Sequence, residues 1–517
     1  MENNNNNNVC APQMVPPFVA NKVSAFEMNK KDNIFLVFLL LFCIPFVVLT
    51  LWGGFNLGFT LSYITFVTVF SIYLGKPSEK FKLFPWLSVA FAFCGAVVFT
   101  LSAQPAVRFW LFVLIVVLTS AWFAYLGGYD MSDDYSIISA CLTSTIGTTF
   151  GSMKRSMKTV FTLRGGKGTM KVIVSVLCAI PAVLLVITLL RSGDAAFDGL
   201  LNVMGKSFGG AGTVLIKIII GITAFPFLVS LGLGLKKNKI EQKKWFVKTG
   251  LENVYIISFL SVISAVYVIY LFSQLAYFFS AFGGILPEGI TVASYARRGF
   301  FEMSFIAALN FVFISLASLF CIKKENGKRN AGITVIIVFI GVFTLVLIAT
   351  ALSKMILYIG SFGMTRLRIL TSAFMVFLAV LFVSVILRGF MKKVPVIKTG
   401  IIAACVILCA LGFADVDRTV AKYNLYAYEN GAIESLDVEA IGNLGEGGIP
   451  TLYEIYKNHK GELRIKAKEE LEKAAYSMYN VETVKGEKVF ERKREVGDFN
   501  FSSHKAYETL EKYLGIK

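Results

Sequence analysis

The stretch AGITVIIVFIGVFTLVLIATAL, from Ala331 to Leu352, contains no charged residue and decides the fold class of this chain. At about 1.5 Å of rise per residue, a helix of this length crosses the roughly 30 Å hydrocarbon core of a bilayer. The rest of the chain is similar, because 56% of its 517 residues are hydrophobic and only 16% are charged. A soluble chain needs a polar surface that this composition does not supply. The sequence therefore predicts an integral membrane protein.

Apolar runs of roughly 18–25 residues, the length that spans a bilayer, recur along the chain and predict an all-α polytopic bundle of about eleven transmembrane helices. The runs cover about residues 34–52, 55–74, 84–103, 108–126, 172–190, 213–235, 253–280, 300–322, 331–352, 369–389 and 396–414. They make up a transmembrane domain over residues 34–414. Residues 1–33, with a run of asparagines, predict a disordered polar leader. Residues 415–517 space apolar residues at helical intervals between charges and predict a small soluble helical domain.

The basic residues are distributed unevenly, and this predicts the orientation. Before Asp415 the chain has 35 Lys and Arg against 14 Asp and Glu, whereas from Asp415 onward it has 16 against 19. Of those 35, 26 fall in the alternate loops that share a side with the N-terminus. Because cytoplasmic loops carry such an excess, we expect the N-terminus to lie inside, in the cytoplasm, and the C-terminal domain to lie outside. The lipid bilayer is thus the expected partner, and nucleic acid is the weaker interpretation of the net charge of +18.

The residues that usually carry catalysis or bind metals are sparse. The eight cysteines form no disulfide framework, and both histidines, His459 and His504, lie in the C-terminal region. We expect no cofactor, no metal site and no catalytic residues, which favours a protein without enzymatic activity. Three carboxylates, Asp130, Asp133 and Asp134, lie in a loop that we expect to be solvated, where capping a helix is their expected role.

The segment DDYSIISACLTSTIGTTFG, residues 133–151, is small, rich in hydroxyl groups and moderately apolar. A re-entrant or interfacial helix is one interpretation. The favoured prediction is a polar loop packed on the bundle.

Charged residues gather where two apolar runs begin on the predicted outer side. SYARRGFFEMSFIAALN, residues 294–310, places Arg297, Arg298 and Glu302 before the eighth run, and GSFGMTRLRI places Arg366 and Arg368 before the tenth. A charge in hydrocarbon costs about 3 kcal/mol unless it is paired or hydrated. Glu302 is positioned to pair with Arg298 four residues earlier, or with Arg366 or Arg368 across helices.

Two interpretations of these charges stay open. They are interface anchors that set the depth of the helices, or they line an outer cleft that binds an anionic ligand or docks the C-terminal region. The predicted cleft comprises Tyr295, Arg297, Arg298, Glu302, Arg366, Arg368 and Asp194. The outer loops hold few basic residues, so four arginines in two of them favour a functional role.

Four motifs in the same order resemble the domain-of-unknown-function 4173 family, which is related to the 4153 family. They are AIPAVLLVITLLRSGDAAF, SYARRGFFEMSFIAALN, LYIGSFGMTRLRI and VAKYNLYAYENG, within about residues 35–450. The resemblance implies a multi-pass bacterial inner-membrane protein with a soluble C-terminal extension and no assigned activity. The sequence departs from that family at Asp415-Val416-Asp417, where N-P-D is usual, and at DFNFSSHKA, where a DWR-like stretch is expected.

Three functions are compatible with these observations. The first is a binding, sensing or assembly component of the cell envelope, with an anionic ligand or an envelope protein as partner at the outer face. The second is a secondary transporter, in which Asn310, Gln274 and Lys217 would continue a polar path at mid-depth. The third is a membrane-embedded transferase acting on anionic or lipid-linked substrates. The oligomeric state is not determined by the sequence.

Overall fold

The structure, a computed structural model, describes most of the chain. The described residues are 24–52, 54–76, 82–162, 210–242, 250–283, 300–322, 330–391, 394–484, 487–493 and 498–516, with Val186, Leu190, Asp194, Phe197 and Gly199.

The chain is built mainly of helices. Those of the bundle are α1 Lys30–Val47, α2 Leu57–Leu74, α3 Leu83–Leu101, α4 Pro105–Leu126, α5 Asp134–Leu142, α6 Thr148–Thr162, α7 Gly210–Lys237, α8 Asn253–Gly283, α9 Phe300–Phe320, α10 Ala331–Phe362, α11 Arg366–Phe390 and α12 Val396–Phe413. Those of the C-terminal region are α13 Val416–Glu429, α14 Val438–Gly442, α15 Ile449–Asn458, α16 Glu462–Met478 and α17 Phe501–Leu514.

Within the described ranges, ten helices are long and apolar enough to cross a membrane: α1 to α4 and α7 to α12. A helix satisfies its backbone hydrogen bonds internally, which is the requirement for crossing hydrocarbon. These ten correspond to ten of the eleven predicted runs. The run predicted at 172–190 lies outside the described residues except for Val186 and Leu190. These ten helices confirm the prediction of a helical multi-pass membrane protein, and they do not fix the exact number of spans. The first helix begins at Lys30, before the predicted start of the run.

Contacts between helix ends define two ends of the bundle. At one end, Lys237 of α7 forms an ion pair with Asp32 of α1, and Tyr73 of α2 donates a hydrogen bond to the same carboxylate over 2.9 Å. At the other end, Arg366 of α11 pairs with Asp417, just after α12. We call these the far end and the tail end. The described spans of α1 to α4 and of α7 to α12 run between the far end and the tail end.

The prediction of a polar loop over residues 133–151 is wrong. The segment is helical from Asp134 to Thr162, as α5, a π-helical turn at 143–147 and α6. A capping box at Asp133 starts it, because that side chain accepts from the N3 backbone while Ser136 Oγ accepts from the Asp133 N–H over 2.9 Å. Its hydroxyl residues face the bundle, which explains how a helix formed here despite low hydrophobicity.

The C-terminal region is helical, as predicted, with one addition. Strands β1, Tyr479–Val484, and β2, Glu487–Arg492, form an antiparallel hairpin between α16 and α17. Asn500 caps α17, and Gly515 ends it with φ of 71°. Buried residues of α13 to α17 belong to one continuous apolar core with α1 to α4 and α12. We call residues 415–516 the docked tail, because they pack against the bundle.

Candidate functional site

The turn between α10 and α11 holds the tail through its backbone. Gly363 has φ of 75°, a left-handed conformation that glycine adopts without strain. Next to it, the Asn424 side chain accepts from Met364 N over 2.6 Å and donates to Met364 O over 2.9 Å. A Cβ on Gly363 would lie 2.7 Å from Asn424 Oδ1. The close approach of α13 therefore depends on a residue without a side chain.

Arg366, directly after this turn, forms a two-point ion pair with the tail. Its Nε lies 2.5 Å from Asp417 Oδ1 and its Nη2 lies 3.0 Å from Oδ2. The Asp417 side chain is 7% exposed and that of Arg366 is 37% exposed. Burial raises the pKa of the Asp417 carboxyl, and the hydrogen bond and charge of Arg366 oppose that rise. The pair joins the first turn of α11 to the first turn of α13.

Arg368 is held by the same turn. Its Nη1 donates to Phe362 O over 3.1 Å and to Gly363 O, and its guanidinium lies 4.0 Å from the centre of the Tyr358 ring. The last carbonyls of α10 thus have a cationic donor, which stabilises a helix C-terminus. Arg368 closes the α10–α11 turn that contacts Asn424.

A second attachment of the tail lies at the end of α3. Arg108 Nη2 donates to Phe99 O over 2.8 Å and its Nε donates to Ser102 O over 2.6 Å. Asn500, which caps α17, donates to the same two carbonyls over 3.0 and 3.3 Å. Asn56, at the start of α2, accepts from Arg108 over 2.7 Å and donates to a tail carbonyl. The orphan carbonyls of α3 are therefore shared between the bundle and the tail.

The junction between α12 and α13 is a sharp bend. Asp415 has φ of 46°, which is unusual for a residue with a side chain. Ser502 Oγ donates to Asp415 Oδ2 over 3.0 Å. Burial raises the pKa of Asp415, while Ser502 and the charge of Arg418 oppose that rise. The bend turns α13 away from the direction of α12 and opens a space beside it.

That space is a cavity of about 330 Å³, which we call the tail cavity. Its apolar walls include Leu101, Phe413 and Phe501, and its polar lining is Asp415, Arg418, Thr419 and Lys422. The lining therefore comes from the ends of two spans, from the first turns of α13 and from the start of α17.

The polar part of the tail cavity is basic. Arg418 Nε is buried and has no hydrogen-bond partner among the described residues. Lys505 of α17 belongs to the same cluster, since burial first, and then the charges of Arg418 and Lys422, lower its pKa. Asp415 is a carboxylate of the cavity lining that lies next to Arg418. A buried guanidinium N–H without an acceptor has the chemistry to bind an anion.

The predicted cleft residues fall into separate places. Tyr295, Arg297 and Arg298 lie outside the described residues. Glu302 is exposed in the first turn of α9, and the charge that it exerts acts on Lys354 of α10. Asp194 is exposed, with its backbone N–H donating to Leu190 O. Arg366 pairs with Asp417 of the tail and Arg368 donates to carbonyls of the α10–α11 turn, so the contacts of both arginines are with other groups than Glu302.

The mid-depth polar residues also have defined places. Asn310 is fully buried, accepts from Tyr267 Oη over 2.5 Å and donates to Thr344 Oγ1 over 2.9 Å. These contacts join α8, α9 and α10, as interhelical hydrogen bonds do in membrane bundles. The side chains of Lys217 and Gln274 lie outside the described residues.

Several residues of the tail end were missed by sequence reasoning. Asp417 and Asn424 were visible only as parts of motifs, and Asn500 and Arg418 gave no signal. Arg108 had one: it is a basic residue beside a short loop on the side that holds few of them. Asp134, expected to be solvated, is buried, with its side chain 3% exposed.

Comparison with known proteins gives one match. The family model described as Domain of unknown function (DUF4153) matches residues 87–455. The match covers α4 to α14, part of α15 and most of α3, and it includes Arg366, Arg368, Asp417 and Asn424. The match supports the related 4153 family named in the resemblance, and it does not show the more specific 4173 family. No curated protein and no solved structure matches the chain.

Proposed function

This chain belongs to the DUF4153 family, and from that premise we propose that it is a binding component of the bacterial cell envelope, which holds an anionic group in the tail cavity. The observation that carries the proposal is the buried Arg418 Nε without a hydrogen-bond partner among the described residues, beside Lys422 in a cavity of about 330 Å³. A buried donor of this kind is costly unless an acceptor reaches it.

A phosphate or phosphodiester fits this chemistry. Guanidinium groups bind phosphate oxygens through paired N–H donors, and a lysine adds a point charge. Phe413 and Phe501 are 52% and 50% exposed beside the cavity, at the level where a span ends. A phosphate reaching the cavity from a lipid or from solution would meet the same groups.

The docked tail makes the binding site composite in this proposal. Arg366 fastens the tail through Asp417, Arg368 closes the turn that contacts Asn424, and the tail supplies Arg418 and Lys422. Tyr295, Arg297 and Arg298 stay predicted ligand contacts.

The same proposal includes the orientation. The tail end would face outward from the cytoplasmic membrane and the N-terminus would lie inside, because the basic loops are concentrated at the opposite end. A reporter that is active only outside the cytoplasm, fused after Lys517, should be active. An inactive fusion at normal abundance would contradict the proposed orientation, and it would not bear on the proposed binding of an anion in the tail cavity.

Neutralising the cavity should abolish binding. We expect the Arg418→Gln, Lys422→Gln double variant of the full chain to lose at least about tenfold in retention of anionic lipid and of added glycerol phosphate, because each charge-assisted contact contributes about 1.5–3 kcal/mol. Native mass spectrometry of the detergent-purified protein measures both ligands, and the two arms distinguish a lipid phosphate from a free one.

The matched control is Lys457→Gln, Lys460→Gln, which removes two exposed charges elsewhere on the tail. Equal retention by both double variants, with unchanged melting, would rule out the tail cavity as the anion site.

Asp415 provides a second test, because its carboxylate competes with the ligand for Arg418. Asp415→Asn is expected to tighten anion binding severalfold at pH 7, and asparagine tolerates the left-handed backbone at this position. Burial raises the pKa of Asp415 above its ordinary value, so protonation as the pH falls should tighten binding by the parent protein. The variant should lack this pH dependence. Titration with a phosphodiester headgroup, whose charge does not change as the pH falls from 7 toward the pKa of Asp415, measures this pH dependence. If the parent protein binds the headgroup equally well at pH 7 and at the lower pH, Asp415 does not compete with the ligand for Arg418.

A further inference from the structure

The helix pair α5–α6 lies across the far end of the bundle and is tied down along its length. Asp134 pairs with Arg388 at the end of α11, and Thr159 Oγ1 accepts from the backbone N–H of Phe26, before α1. Between them, Ser144 Oγ donates to Ser120 O of α4 over 3.2 Å. The helix pair therefore bridges the segment before α1, helix α4 and the end of α11.

Its buried face is made of small residues. Ala140, Ser144, Thr148, Ser152 and Ser156 recur every fourth position and are buried. They allow close packing on α7, where a Cβ on Gly234 would lie 2.6 Å from Thr148 Cγ2. Ser230 of the same helix donates to Thr149 O over 2.5 Å.

The contacts of α5–α6 with α4 and α7 lie inside the far ends of those two helices, toward the middle of the bundle. Ser120 and Ser230 lie six and seven residues before the far ends of α4 and α7, which corresponds to about 10 Å along each helix. The middle of α5–α6 is therefore level with the outermost part of the spans. That is the zone where interfacial helices place their apolar side chains.

The outward face continues this pattern. Ile138, Leu142, Ile146 and Phe150, again four residues apart, are 37%, 43%, 56% and 63% exposed. Exposed apolar area costs roughly 25 cal/mol per Å² in water. Two further steps of four give Lys154 and Lys158, both exposed.

We propose that α5–α6 is an interfacial helix that binds anionic phospholipids of the far-end leaflet, with its apolar stripe among the acyl chains and Lys154 and Lys158 at the headgroup phosphates. Charge complementarity favours anionic phospholipids as the occupant. The stripe changes from apolar to basic along the helix, and a leaflet changes from acyl chains to anionic phosphates over the same boundary. Arg155 does not belong to this stripe, since it is partly buried and its guanidinium lies 4.3 Å from the Phe26 ring centre. The inference is independent of the tail cavity, which lies at the other end of the bundle.

The test uses the full chain in nanodiscs of phosphatidylcholine with and without phosphatidylglycerol. Phosphatidylglycerol is expected to raise the melting temperature, and Lys154→Gln, Lys158→Gln should lose more than half of that rise while melting normally in phosphatidylcholine alone. Lys457→Gln, Lys460→Gln is the matched control. Both pairs are also made in the Arg418→Gln, Lys422→Gln background, so that the tail cavity does not contribute.

A second measurement locates the stripe. Phe150→Trp should add fluorescence that brominated lipids quench and aqueous iodide does not. An unchanged phosphatidylglycerol effect in the lysine variant would overturn the headgroup contact. Added fluorescence quenched by iodide alone would place the stripe in water and overturn the interfacial position.

Discussion

Arg366→Gln is expected to raise the fraction of molecules with an undocked tail about 10- to 30-fold, a loss of about 2 kcal/mol. The Asp417 carboxylate is 7% exposed, so without its partner it stays buried as an uncompensated charge. A fully buried pair broken in this way costs about 3–5 kcal/mol, and the exposure of Arg366 reduces that value.

The two partners should not be equivalent. Asp417→Asn leaves the Arg366 guanidinium, which is 37% exposed and can be hydrated, so we expect a smaller effect of about threefold. Hydrogen exchange of the amides of α13, Val416–Glu429, measures undocking directly. Arg464→Gln is the control, because it removes a tail arginine that stacks on Tyr456 within the tail. Exchange in α13 that is equally fast in both arginine variants would show that the ion pair does not hold the tail.

The pH dependence of this defect has a definite sign. Arg366 opposes the burial-driven rise in the pKa of Asp417, so its removal lets the pKa rise further in the docked state. A raised pKa means that the docked state binds the proton more tightly, and docking gains stability as the pH falls. The defect of Arg366→Gln should therefore shrink as the pH falls from neutral, and the exchange measurement can follow this change.

The transmembrane helices were predictable because each depends on its own composition. A run such as 331–352 needs hydrogen bonds only within itself and solvation by lipid, so its local sequence is sufficient. The alternation of basic loops predicts an orientation in the membrane, and that prediction depends on the charges of the loops rather than on contacts between helices. The helix at Asp134–Thr162 was missed for the opposite reason: its hydroxyl face is stabilised by α4 and α7, and those partners are not visible in the segment itself.

At the tail end, too, the partners of single residues could not be predicted from the local sequence. The arginines of GSFGMTRLRI were recognised as unusual, yet the partner of Arg366 is Asp417, 51 residues later, and not Glu302. The cations of the tail cavity lie in α13, whose sequence reads as an ordinary amphipathic helix. Only the bend at Asp415 brings Arg418 and Lys422 against the ends of α3 and α12. Such a bend depends on tertiary contacts, including Ser502, 87 residues away.

Asp134→Ala is expected to destabilise the far end by about 3 kcal/mol, the larger of the two effects. The Asp134 carboxylate joins Arg388 to the backbone N–H of Val396, which donates over 3.1 Å at the start of α12. Its removal leaves two donors without an acceptor. At 27% exposed, Arg388 is less hydrated than Arg366, so less of the loss is recovered from water. A lower melting temperature measures the global loss of stability. Faster alkylation of Cys141, which lies two turns further along α5, measures the local loss.

Further variants separate the attraction between Asp134 and Arg388 from the net contribution of this ion pair to stability. Asp134→Asn keeps an acceptor for Val396 and should be intermediate, while Glu434→Ala removes an exposed carboxylate as a control. Asp134 Oδ1 has no hydrogen-bond partner in the described structure, so part of the attraction is offset by incomplete solvation. The Asp134→Ala, Arg388→Ala double variant should therefore be less damaged than the sum of the single variants, by about 2 kcal/mol. Strictly additive losses would mean that the two side chains act independently and that the pair does not tie α5 to the α11–α12 turn.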